Sequence, residues 1–170
     1  MLETVLFVLL AVFAVGTAVL VILQRNPVSS AIFLIFTFFC LAGIYLLLHA
    51  EFIAAIQVLV YAGAIMVLFL FVIMLLNLEK EKRIVTRSRL LKGVGVLFGL
   101  ALLVQIGTMF QSVLLEGMKG SYPPEKVASL GNTQVVARLL FTDFLLPFEI
   151  TSVLLLVAII GAVLLAKREI

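Results

Sequence analysis

An all-helical polytopic protein crossing a membrane five times is what this sequence predicts, and three observations carry that reading. Hydrophobic residues make up 65% of the chain and charged ones 12%, with a mean hydropathy of +1.35, far outside the range of soluble domains. Apolar runs of about 18 residues or more recur along the chain, the length an α-helix needs to cross a bilayer core. The polar joints between the first three runs are only a few residues long. Connections that short make consecutive helices antiparallel neighbours.

Taken in order, residues 4–23 form the first span, about 30 Å of helix at 1.5 Å per residue. Gln24-Arg25-Asn26-Pro27 is a tight turn, with Pro27 suited to open a helix. Residues 28–48 form the second span, and His49-Ala50-Glu51 is the next joint. The third span, 52–76, runs about 37 Å, longer than a hydrocarbon core and absorbed by tilt. The stretch 77–92 mixes Glu79 and Glu81 with Lys80, Lys82, Arg83, Arg87 and Arg89 and reads as a solvated loop. Residues 93–115 form a fourth span with a more polar content (Gln105, Thr108, Gln111). The long loop 116–147 follows, its first part broken by Gly117, Gly120, Pro123, Pro124 and Gly131. Within it, 132–144 has helical periodicity and suits an interface or a partner surface. Pro147 marks the entry to the last span, 148–166.

Five spans put Arg25, Lys80, Lys82, Arg83, Arg87, Arg89, Lys92, Lys167 and Arg168 on one side, against Lys119, Lys126 and Arg138 on the other. The positive-inside rule then predicts an outer, periplasmic N-terminus and a cytoplasmic C-terminus, with 77–92 cytoplasmic and 116–147 periplasmic. The acidic start Met1-Leu2-Glu3 argues for a retained first helix rather than a cleaved leader. Cys40 is the only cysteine and His49 the only histidine, so the chain alone builds no disulfide framework, iron–sulfur site or bis-histidine haem. It also carries no phosphate loop, nucleophile–base pair, metal-ligand spacing or basic nucleic-acid patch.

The third span holds the residues that call for explanation. Glu51 stands at its start, where a carboxylate either favours the helix dipole or opens a proton relay. Glu51, Ala55, Val58 and Ala62 fall on one face at ideal helical spacing, and so do Gln57 and Tyr61. An amide and a phenol so placed either bond a neighbouring helix or hold a water in a proton path. Gly63 weakens a helix by about 1 kcal/mol relative to Ala, which is accounted for by close helix packing or by a local π-bulge. Glu149, following Pro147, reads as a cap at the start of the last span.

Two blocks resemble a known family. IQVLVYAGAIMVLFLFVIMLLN, Ile56 to Asn77, is similar to the third helix of subunit J of NADH–quinone oxidoreductase, the family of mitochondrial NADH dehydrogenase subunit 6 in respiratory complex I. LFTDFLLPFEITSVLLLVAIIGAVLLAKRE, Leu140 to Glu169, resembles that family's second signature. The resemblance implies a membrane-arm subunit in a bacterial inner membrane, part of a hetero-oligomer with the quinone-site subunit, small three-helix subunits and antiporter-like subunits. It implies that FMN, iron–sulfur clusters, NADH and quinone are bound by other subunits, with no cofactor or metal here. It further implies a π-bulge around Tyr-Ala-Gly whose rearrangement makes or breaks a water path to the pumping subunits. Tyr61, Gly63, Met66 and Val67 occupy that motif, with Glu51 the acid at its start.

Two other readings stay open. One is the equivalent subunit of a multisubunit cation/proton antiporter, an energy-converting hydrogenase or a ferredoxin-fed complex. The other, a stand-alone small transporter, is disfavoured by the few polar residues inside spans and by the lack of an inverted repeat.

Overall fold

The computed structural model describes residues 1–76, 89–115, 122 and 124–167, and for 89–92, 110–115 and 124 it describes the backbone alone. All regular structure among the described residues is helical. Helix α1 (Leu2–Leu23) and helix α2 (Pro27–Leu47) are joined by a short turn in which Asn26 accepts the Val28 N–H at 2.9 Å and Pro27 takes the first helical position. Both devices satisfy or remove donors that a helix start leaves unpaired. At the far end of α2 the chain reverses through His49, whose φ of 56° is left-handed. Ala50 N–H reaches back to Tyr45 O at 2.9 Å, the six-to-one bond of a Schellman ending.

The third helix runs unbroken from Glu51 to Leu75 but in three parts: α3 (Glu51–Ile56), a π-helical segment (Gln57–Ile65) and α4 (Met66–Leu75). Helix α5 (Arg89–Leu115) belongs to a separate compact unit, Leu76–Pro123, and Thr108 within it bonds back to Gln105 O at 2.8 Å. The first unit resumes with α6 (Pro124–Leu130), α7 (Asn132–Phe141) and α8 (Leu145–Ala166). Four helices are long and apolar enough to cross a membrane: α1, α2, the third helix and α8. The apolar stretch described within α5, Gly93–Met109, is shorter than these.

Helix α2 packs along α1 and along all three parts of the third helix. The buried residues explain how. Five of the seven buried apolar side chains among the described residues are alanines: Ala14, Ala31, Ala42, Ala54 and Ala62. Small residues let helix backbones approach where lipid removes any hydrophobic incentive to bury large ones. Gly43 carries this furthest, since a Cβ there would stand 3.0 Å from Leu10 Cδ1 of α1. Polar bonds add to the joint. Thr37 Oγ1 lies 2.9 Å from Thr17 Oγ1 across the α1–α2 interface, and Ser30 donates to the Val21 carbonyl. Large apolar side chains point outward, as a lipid-facing surface requires.

Several boundaries differ from those predicted. α5 starts at Arg89, four residues before 93, and the rest of the charged loop, 77–88, lies outside the described residues. Pro124, read as a breaker, instead opens α6, since the first helical position needs no N–H. The periodic stretch 132–144 is helical to Phe141 and then turns, with Phe144 N–H on Leu139 O at 2.9 Å. α8 starts at Leu145, so Pro147 sits inside its first turn, where its missing donor costs nothing. Glu149 therefore lies a turn into the helix, exposed, and does not cap it.

Candidate functional site

The feature that sets the third helix apart is its centre. Nine residues, Gln57–Ile65, are wound as a π-helix, in which N–H groups bond five residues back rather than four. Met66 N–H reaches Tyr61 O by such a five-residue step and also Gly63 O. Each wider turn takes up one extra residue, so everything after it is rotated relative to an uninterrupted α-helix.

That rotation is visible in which residues are buried. The covered positions on the third helix are Ala54, Gln57, Ala62 and Met66, at steps of three, five and four. A regular helix repeats at three and four, and the step of five spans the π segment. Ideal spacing therefore misassigned the face. Glu51 and Ala55 are exposed, Val58 is half-buried, and of that predicted row only Ala62 is buried. Gln57 and Tyr61 are separated for the same reason. Gln57 is 7% exposed while Tyr61 is 45% exposed, its ring edge-on to Phe38 of α2 with centroids 5.8 Å apart. Four residues fall short of a full π turn, and Ala62 takes the place above Gln57 that Tyr61 would hold in an α-helix.

Gly63 fits the winding of the helix rather than a neighbour. Beyond its own turn, the atom a Cβ would meet is the Val58 carbonyl oxygen at 3.2 Å, five residues back in the same helix. Of the two explanations for this glycine, packing against another helix of this chain is not the one the geometry supports. Met66, just past the segment, is buried, and Val67 beside it is 60% exposed.

Glu51 is the first residue of α3, and Ala50 before it has no side chain to cap the helix. The Phe52 N–H is instead taken by Asn132 Oδ1 of α7 at 3.2 Å. Neither this bond nor the Thr17–Thr37 pair stands out in the sequence. The first joins residues 80 apart, and membrane threonines most often bond their own helix, as Thr17 also does to Phe13 O at 2.8 Å. Among the described residues no group of three or more His, Cys, Asp or Glu is placed to hold a metal ion.

Comparison with known proteins points one way. Residues 17–165 match the model of the family described as NADH-ubiquinone/plastoquinone oxidoreductase chain 6. The NAD(P)H-quinone oxidoreductase chain 6 of a Nostoc species is 42% identical over 98% of this chain and 80% of its own length. The F(420)H(2) dehydrogenase subunit J of Methanosarcina mazei is 39% identical over 99% of this chain and 93% of its own. The NADH-quinone oxidoreductase subunit J of Rhodobacter capsulatus is 37% identical over 96% and 81%. With nearly its whole length aligned in each case, the chain belongs to the NADH-ubiquinone/plastoquinone oxidoreductase chain 6 family.

Proposed function

We propose that this chain is a non-redox membrane-arm subunit of a proton-pumping NADH–quinone oxidoreductase, and that its third helix couples quinone reduction to proton movement by switching between a π and an α winding. The observation that carries the proposal is the π segment Gln57–Ile65 at the centre of a 25-residue apolar helix. Its relaxation to α geometry would turn α4 by about 100°, one residue's share of a turn. Tyr61 and Ile65 would then replace Ala62 and Met66 on the covered face, and Met66 would move to the exposed position Val67 holds.

The consequence is local to Gln57. In the π state its amide has a methyl group, Ala62, as the next residue on its face. In the α state the Tyr61 phenol comes over it. An amide and a phenol are both donors and acceptors, so the switch makes or interrupts a water-borne proton path leading from Glu51. Glu149 is a secondary acid on α8. The path runs between this subunit, the quinone-site subunit, the small three-helix subunits and the antiporter-like subunits, with FMN, iron–sulfur clusters and quinone held elsewhere in the complex.

The proposal includes α5 as the fourth of five spans in a bacterial inner membrane, with an outer N-terminus and a cytoplasmic C-terminus, the orientation resting on the nine-to-three split of basic residues. A second reading has a specific observation in its favour. Relatives named for NAD(P)H, NADH and F(420)H(2) lie within 37–42% identity of this chain. A subunit that touches no electron donor would show such indifference, so the same coupling role in a complex fed by another donor fits equally.

Gly63→Leu tests the switch. A side chain there meets the Val58 carbonyl in the π winding, so the variant shifts the helix toward one state. The assembled mutant complex is expected to oxidise its donor and pump fewer protons per electron. A wild-type ratio in a fully assembled complex would falsify the proposal.

A further inference from the structure

Resting on the two-state reading of the third helix, we propose that Asn132 is a positioning residue that anchors the helix's first part, so that switching moves α4 and leaves α3 in place. The start of a helix exposes four N–H groups with no partner in the helix. Here the preceding residue is Ala50, which offers no side-chain acceptor, and the next helical N–H, Phe52, is bonded at 3.2 Å by Asn132 from 80 residues away. The bond is not an isolated touch. Gly131, at φ 87°, lets the chain turn from α6 directly into α7, which puts Asn132 at the first position of α7. α7 packs on α3, and its one buried residue, Val135, lies three positions beyond Asn132. On the other side α3 leaves the Schellman turn at His49 and packs on α2.

α3 is therefore held by α2, by the turn before it and by α7. Among the described residues α4 has no contact of that kind with α7, and the element outside the third helix that it packs along is α2. A rotation generated at Gln57–Ile65 needs one end fixed to be transmitted by the other. α3 is the fixed end, and the asparagine amide is what ties it to the loop helices.

The test uses the intact complex. Asn132→Ala is expected to keep quinone reduction and lower the proton-to-electron ratio. Asn132→Asp, which keeps an acceptor for the Phe52 N–H, is expected to restore the ratio; a role in folding alone would lower assembly and electron transfer together. In a Cys40→Ala background, a short bifunctional thiol reagent joining Phe52→Cys to Asn132→Cys replaces the lost amide bond and is expected to raise the ratio above that of the uncross-linked double variant, because an anchor does not move. Loss of pumping on cross-linking, or a wild-type ratio in Asn132→Ala, overturns the anchor. These outcomes differ from failure of the switch itself, which is read from Gly63→Leu pumping normally.

Discussion

At the scale of single residues, the buried polar side chains among the described residues are Thr37 and Gln57. Thr37 is the buried hydroxyl of the α1–α2 joint, bonded at 2.9 Å to Thr17 and at 3.0 Å to the Phe33 carbonyl of its own helix. Interhelical bonds of this kind contribute about 0.6 kcal/mol on average and up to about 1.7. Thr37→Val keeps the shape and removes the hydroxyl. It is expected to destabilise the α1–α2 pair by an amount in that range, read as a lower temperature for dissociation of this chain from the complex, with pumping per electron unchanged below it. Gly63 acts differently. A Cβ there would meet the Val58 carbonyl of the same helix at 3.2 Å, so its substitution tests winding rather than packing between helices.

At the scale of elements, Glu51 and Glu149 part company. Glu51 opens the helix that contains the π segment, whereas Glu149 sits a turn inside α8, whose residues are nearly all exposed. Glu51→Gln is expected to lower the proton-to-electron ratio of the reconstituted complex and Glu149→Gln to leave it close to wild type. Equal, unimpaired ratios in both would remove Glu51 from the path. The elements themselves were largely legible in the sequence, because hydropathy over some 20 residues reports burial in lipid whatever the fine geometry. Pro27 also marked the start of α2 correctly, and the cap by Asn26 came only with the structure. Face assignments were not legible. They assume 3.6 residues per turn, and nine π-wound residues break that assumption between Gln57 and Ala62. The cap on Phe52 was hidden for another reason, since nothing local in Ala50-Glu51-Phe52 points to an asparagine 80 residues later.

At the scale of the whole molecule, most large apolar side chains among the described residues are exposed. None of the residues of α8 is buried, and α8 packs on α7, with the Phe148 ring set against Phe141 at 5.0 Å between centroids. The chain's place in a quinone oxidoreductase family whose named relatives are chains and subunits fits a component completed by its surroundings. The proposed coupling requires that the third helix have two windings and that turnover exchange them. Structures of the intact complex at rest and during steady turnover test this most directly, at a resolution that separates carbonyls. Two populations are expected: in one, Met66 N–H bonds to Tyr61 O as it does here; in the other it bonds to Ala62 O, with α4 turned by about 100° and Tyr61 brought over Gln57. A single winding of Gln57–Ile65 in every state, with pumping active, would contradict it.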